Sequence, residues 1–380
     1  MNERTYKSPV NIPRTGHELV TCHYPLRIDT YSSCFHNCTY CYARDILDRV
    51  HLWEPDNVRV ADIETIKREI EAHILKKRCD GALAKAIQHR IPARLGGLTD
   101  CFQPIERKKK VTYQLLNYLN SINYPYLIVT KSNLIAEEVY LKAMRKDLAY
   151  IQFTITTLNE NTAKLLEPNA PSPKRRIEAL KHLHNKGFYI AGRISPIIPN
   201  ITETDCFEVV DELEALGVPH IIFEFFRGTE RMVERVESAV CVKISPLEKR
   251  GVYYRFRLKE KKAFYEKIYS RLKESKTLFT ICSDGDPIPF HINSTRNCCG
   301  LEGLKRAIPQ TKFNDGNEKV ASNVYFEMKR KITVNIDDLK TYFSVCDNTF
   351  AKFWNAGSFT QFIDSCKWDK LNRTYRLENQ

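Results

Sequence analysis

Nowhere in the 380 residues does an apolar run approach the ~20 needed to cross a bilayer, which sets aside a helical membrane span. The first residues, 1–7, lack the apolar segment of a secretory leader. Internal repeats and low-complexity tracts are missing, so neither a solenoid nor a fibrous array is expected. A disulfide scaffold is set aside as well. The chain has 13 cysteines, but in a long chain without a leader they point to a reducing compartment, and the cytoplasm is the expected location. Negative charge is in deficit: 59 Lys and Arg against 46 Asp and Glu leave a formal +13. Excess cation favours polyanionic partners, because neutralised phosphates release counterions, although many basic proteins bind no nucleic acid. Hydrophobic content of 43% and charged content of 28% are ordinary for a globular protein, and the length suits one large domain with an appendage, or two domains.

One further absence is chemical. Cys34, Cys38 and Cys41 form a CxxxCxxC run, yet the next cysteine is Cys79. Three thiolates on a tight loop can hold three corners of an iron–sulfur cubane, and with no fourth cysteine nearby one iron is left open for a small molecule. A structural zinc site normally takes four ligands, often as two separated pairs, and His36 is poorly placed to join this set. Chance clustering is the other alternative. The loop lies between a strand-like stretch, 25–31, and a helix-like one, 42–50, and this setting favours the cluster.

Strand-like stretches recur at 91–96, 124–130, 149–156, 188–195 and 220–226, separated by helix-like ones at 105–119, 136–144, 174–186 and 207–216. Apolar strands alternating with amphipathic helices indicate parallel βαβ units. Ligands of parallel βαβ sheets gather at the C-terminal strand ends, which places the cysteine loop, Thr99 and Asp100, 130–132, 154–157 and 193–195 around one mouth. Beyond about residue 228 the rhythm changes. Stretch 249–276 is dense in Lys and Arg with interleaved Tyr253, Tyr254, Phe256, Phe264, Tyr265 and Tyr269. It reads as a strand-binding surface or as an amphipathic helix whose aromatics face the core. Cys282, Cys298 and Cys299, with His291, Cys346 or Cys366, are candidates for an auxiliary metal, whereas Cys22, Cys79, Cys206 and Cys241 form no pattern.

The CxxxCxxC run, with Tyr40 just before its last cysteine, resembles the signature of the radical S-adenosylmethionine (SAM) superfamily. Segments 34–44, 98–106, 129–132, 167–176 and 195–199 together resemble the spore photoproduct lyase group, also called DNA repair photolyase-like proteins, over residues 20–230. The resemblance implies an α/β fold: a partial (β/α)6 TIM-type radical SAM barrel with a C-terminal extension. It divides the chain into an N-terminal segment 1–19, a barrel 20–230 and a basic, cysteine-containing region 231–380. It also implies a 4Fe–4S cluster on Cys34, Cys38 and Cys41, which cleaves SAM to a 5′-deoxyadenosyl radical, and an external electron donor such as flavodoxin or ferredoxin. The implied SAM-binding residues are Tyr40 at the adenosyl moiety, Thr99 and Asp100 at the amino end, Lys131 at the carboxylate, and Thr154 and Thr156 near ribose and methionine, with Ser195 at the same mouth. Tyr42 matches a tyrosine used in radical relay. Cys101 is a candidate hydrogen-atom donor, displaced from the lyase's own position, which here holds Gly97.

Ordinary structural roles stand beside these assignments: a strand end for Lys131, a helix cap for Asp100, a core position for Tyr42, a small buried hydrophobe for Cys101, and a turn with Glu167 paired to a cation for 167–176. The function the resemblance implies is lyase-like repair of a nucleic-acid lesion or nucleobase. The alternatives are radical modification of a peptide or small metabolite, and a non-enzymatic, metal-stabilised nucleic-acid-binding protein.

Overall fold

The computed structural model describes residues 9–11, 26–75, 83, 87 and 92–282, with the backbone of three short strands, Thr333–Asn335, Cys366–Asp369 and Thr374–Leu377. Cys22, Cys79, His291, Cys298, Cys299, Cys346 and the side chain of Cys366 lie outside this set, and with them the auxiliary-metal expectation.

A single eight-stranded sheet organises the described chain. Its first edge is β1 (Val10–Asn11), antiparallel to β2 (Arg27–Ile28). From β2 onward every neighbour is parallel: β3 (Ala93–Leu95), β4 (Tyr126–Thr130), β5 (Ala149–Thr154), β6 (Tyr189–Ile197) and β7 (His220–Phe225) follow in chain order. The expected six-strand partial barrel is present and open. A seventh parallel strand, β11 (Leu278–Ile281), docks on β7, so the sheet continues past the point where the sequence rhythm changes.

Parallel strands must be covered on both faces, and β5 shows how the sequence does it. Ile151 and Phe153 belong to the hydrophobic core with helix residues such as Leu115, Leu116, Leu180 and Leu183. Tyr150, Gln152 and Thr154 alternate with them and so face the opposite, inner side.

The helices α1 (Tyr42–Asp48), α2 (Ile63–Leu75), α3 (Glu106–Lys109), α4 (Val111–Ser121), α5 (Glu138–Ala143), α6 (Glu160–Leu166), α7 (Pro173–Asn185) and α8 (Cys206–Ala215) occupy the crossovers. The single helix expected over 105–119 is broken at Lys110, which adopts φ 52°. The buried Glu106 carboxylate accepts the Thr112 and Tyr113 amides, each at 2.9 Å, and so caps α4 where it restarts.

After β7 the chain forms β8 (Arg227–Gly228), α9 (Glu230–Val240) and a hairpin of β9 (Leu247–Arg250) and β10 (Tyr253–Phe256), with β8, β10 and β9 in one small antiparallel sheet. Helix α10 (Leu258–Leu272) buries Phe264, Tyr265, Ile268 and Leu272, and Phe225 packs edge-on against Phe256, Phe264 and Tyr265. The helical half of stretch 249–276 is therefore core-facing. Arg255 is buried as well, so it offers no surface charge. The small sheet of β8, β10 and β9 keeps partly exposed aromatics beside cations: Arg227 lies 5.0 Å from the Tyr253 ring and Lys249 5.3 Å from that of Tyr254. Among the described residues no helix is long and apolar enough to cross a membrane.

Candidate functional site

The cysteine loop leaves the end of β2 and is held from both sides. Gln103, beyond β3, accepts the Phe35 amide at 2.8 Å and donates to the Ser33 carbonyl at 2.8 Å. On the other flank the Leu166 carbonyl accepts the Thr39 amide at 2.8 Å, and the Asn169 side chain donates to the Phe35 carbonyl at 2.9 Å. Arg235 of α9 closes the third side, donating to the Thr39 carbonyl at 3.1 Å and the Cys41 carbonyl at 3.4 Å while paired with Asp45 at 2.7 Å. Beside it opens a groove of about 590 Å³ lined by Thr39, Arg44, Arg231, Glu234 and Arg235.

Cys34 and Cys38 are buried and Cys41 is partly exposed. Backbone amides of Asp100 and His36 donate to the Cys34 sulfur, and those of Ala43 and Arg44, at the start of α1, donate to that of Cys41. Burial pushes the Cys34 thiol up to about 12, with Asp100 and Cys41 adding repulsion. Cys38 and Cys41 are raised for the same first reason, with Cys34 and Cys41 repelling a Cys38 thiolate. Sulfurs that receive amide hydrogen bonds yet repel one another as anions suit a cationic centre that keeps them deprotonated. Among the described residues no three His, Cys, Asp or Glu side chains form a single-ion site.

Behind the loop lies a buried charge network. The Tyr40 hydroxyl donates to Glu167, and Thr156 donates to the same carboxylate at 2.7 Å. Arg176 pairs with the second oxygen of Glu167, and Lys131 Nζ lies 4.0 Å from the first and 5.5 Å from the Tyr40 ring. Burial alone would raise Glu167, but the Arg176 guanidinium and Lys131 ammonium overcome it and hold the carboxyl at about 2. The same proximity pushes the Tyr40 phenol upward, after burial, so it stays a donor. Segment 167–176 is thus the cation-paired turn expected of it, and it also locks Tyr40.

The second-strand residues are tied into the protein by internal hydrogen bonds. Asp100 accepts Thr130 Oγ1 at 2.8 and 2.9 Å, the Lys131 amide at 2.8 Å and the Phe102 amide at 2.9 Å, with His36 Nδ1 at 3.5 Å. Four groups from inside the protein surround a carboxylate that has about four lone-pair sites. Asp100 is therefore a clamp between the ends of β3 and β4, and it fixes the backbone from which Lys131 projects. Thr99 is buried, its hydroxyl donating to the Tyr31 carbonyl at 3.0 Å. Tyr42 donates to the Gly97 carbonyl at 2.7 Å and packs against the small core around Cys38 and Tyr40.

Cys101 requires correction. Its thiol has no solvent exposure and belongs to the main hydrophobic core, so closeness to Asp100 along the chain does not bring it to the mouth. It is the small buried hydrophobe.

Thr154 ends β5 in register with Arg193, and Ser195 donates to Glu224 of β7. Sequence reasoning gave no role to Glu224, Gln103 or Asp29. Asp29 takes the Leu98 amide at 2.9 Å and pairs with Arg27 at 2.7 Å. The available signal was a carboxylate or amide at the end of an apolar strand.

The radical SAM superfamily model matches residues 28–213. An uncharacterised protein of Acidianus two-tailed virus is 28% identical over 218 residues, 56% of this chain and 70% of that protein. An uncharacterised protein of Methanocaldococcus jannaschii is 27% identical over 178 residues, 47% of this chain and 62% of that protein. Among solved structures, spore photoproduct lyase complexed with a dinucleoside spore photoproduct aligns with a TM-score of 0.54 at 15% identity, covering 73% of this chain and 80% of that one. A lyase variant with bound AdoMet and the same dinucleoside gives 0.51 at 17%, covering 69% and 78%. At these identities the structural likeness speaks for the fold.

Proposed function

We propose that this chain, whose residues 28–213 match the radical SAM superfamily model, is a radical SAM enzyme that acts on a nucleic-acid lesion or nucleobase. Cys34, Cys38 and Cys41 would hold the 4Fe–4S cluster. When bound, that cluster supplies the electron that cleaves SAM to a 5′-deoxyadenosyl radical. The observation that carries the reading is the cysteine loop itself: three thiols, two of them receiving backbone amides, at the C-terminal end of a parallel strand and beside Lys131.

The chain's own residues then divide the work. Lys131 offers its ammonium to the SAM carboxylate, oriented by the Asp100 clamp on its backbone. Tyr40, fixed by Glu167, packs along the adenosyl group, while Thr99, Thr154, Thr156 and Ser195 line the same strand ends. Tyr42 stays at the rim as the relay candidate, and no step is assigned to Cys101. The groove of Arg44, Arg231 and Arg235 supports approach of an acidic electron donor, such as a flavodoxin or ferredoxin. The +13 charge and the Lys249, Arg250 and Tyr254 hairpin support a nucleic-acid substrate.

Anaerobic reconstitution tests the reading. Iron and sulfide should bind, and dithionite with SAM should yield 5′-deoxyadenosine, both lost in Cys38→Ala. Retained SAM cleavage in a variant lacking all three cysteines would overturn it. Oligonucleotide binding should weaken steeply with salt, and Lys249→Ala/Arg250→Ala should lower the log–log slope by about 0.9 per lost phosphate contact. Salt-independent binding would move the substrate to a peptide or metabolite.

A further inference from the structure

Strands β5, β6, β7 and β11 bring a second set of polar groups to the inner face of the sheet. Arg193 is in register with Thr154 on one side and Ile222 on the other, and Ile222 is in register with Thr280. Glu224 and Cys282, each two residues further along, follow the strand period onto the same face. The side chains meet there. Arg193 Nη1 donates to Gln152 Oε1 at 3.1 Å, while Nη2 donates to Glu224 Oε2 at 2.6 Å and lies 3.7 Å from Cys282 Sγ. Ser195 also donates to Glu224 Oε2. Exposure grades from the floor to the opening: Gln152 is 1% exposed, the Arg193 side chain 7% and that of Glu224 35%. Cys282 is partly exposed at the rim.

This arrangement decides what can enter. Both described bonds to Glu224 fall on Oε2, and the side chain is 35% exposed, so the carboxylate keeps acceptor capacity for a group arriving from outside. Burial would raise this carboxyl, but the Arg193 guanidinium, the Ser195 hydroxyl and nearby Arg94 hold it at about 2, and it stays an anion across the working range. An incoming phosphate or carboxylate is repelled by that anion. A divalent cation would find no second carboxylate, since no single-ion site exists among the described residues. A neutral N–H donor fits, and a nucleobase offers one on its hydrogen-bonding edge.

We propose that Glu224, oriented by Arg193 and Ser195, is a base-recognition residue that accepts the ring or exocyclic N–H of a nucleobase entering the barrel mouth. The inference rests on the nucleic-acid reading above and names the contact that reading lacks.

Cys282 supplies the reporter. With reconstituted full-length protein, iodoacetamide modification of Cys282 is followed by peptide mass spectrometry while oligonucleotide binding is measured separately by anisotropy. A short oligothymidylate should protect the thiol. Its N3-methylthymine counterpart, which lacks the donor, should need about tenfold or more higher concentration for equal protection. Glu224→Gln, whose amide oxygen still accepts from Arg193, should abolish this discrimination, with a cooperative thermal transition that stays above the assay temperature as the check on folding. Equal protection by both oligonucleotides, discrimination retained in Glu224→Gln, or protection by inorganic phosphate alone overturns the inference but leaves the nucleic-acid reading standing. If neither oligonucleotide binds, that reading fails, and thymidine against N3-methylthymidine at high concentration decides the Glu224 contact alone. No protection by thymidine overturns it.

Discussion

Replacing Glu167 by Gln tests the joint between the buried charge network and the cysteine loop. The carboxylate is 1% exposed, as is Arg176, and the two are paired. A carboxyl held at about 2 rather than at its ordinary 4.5 corresponds to about 3 kcal/mol of stability, at roughly 1.4 kcal/mol per tenfold. Breaking a buried pair by removing one partner costs about 3–5 kcal/mol, because the other charge is stranded. The two routes agree, so Glu167→Gln should lose about 3 kcal/mol in urea unfolding at neutral pH. Glu167→Leu/Arg176→Met, which removes both charges, should recover most of that loss. The pH dependence follows from the direction of the shift. A carboxyl lower in the folded than in the unfolded state contributes fully above about pH 4.5 and loses its contribution as pH falls toward 2. The stability gap between the parent protein and Glu167→Gln should therefore narrow steadily from pH 5 to pH 3. The variant should also alkylate Cys38 and Cys41 faster, since the Tyr40 and Thr39 anchors on segment 166–167 loosen. A loss below about 1 kcal/mol, or a gap unchanged by acid, would refute the account.

Two further substitutions address the second strand. Cys101→Ala should cost about 1 kcal/mol of stability from the small cavity it leaves and should not change SAM cleavage or product distribution; misrouted product would restore the thiol to the chemistry. Gly97→Ala would place a Cβ 2.0 Å from Arg27 Cδ, forcing that side chain off Asp29 and disturbing the Leu98 amide that Asp29 holds. It should cost about 1–3 kcal/mol and lower SAM cleavage, with Arg27→Ala in the same chain restoring the space; no effect of the single change would refute the clash.

What the sequence reveals depends on whether the partners of a residue are local. The cluster ligands are legible because Cys34, Cys38 and Cys41 share one loop, and strands β4 to β7 are legible because each is an apolar run buried on both faces. Strand β11 is only Leu278–Ile281, and its place beside β7 is a tertiary fact that no local pattern carries. Lys110 breaks a helix without glycine or proline, through a Glu106 cap that periodicity does not show. Asp100 sits at a strand end, where a ligand residue would sit, but its donors Thr130 and Lys131 come from the next strand and convert it into a clamp. Cys101 shows the same dependence. Its closeness to Asp100 along the chain does not set its direction, because residues 100–103 turn, with the Gln103 amide on the Asp100 carbonyl at 3.3 Å, and the thiol enters the core. A thiol at the barrel mouth is instead delivered by Cys282, at the far end of a strand that the sequence rhythm conceals, and only the parallel register of β11 on β7 carries it there.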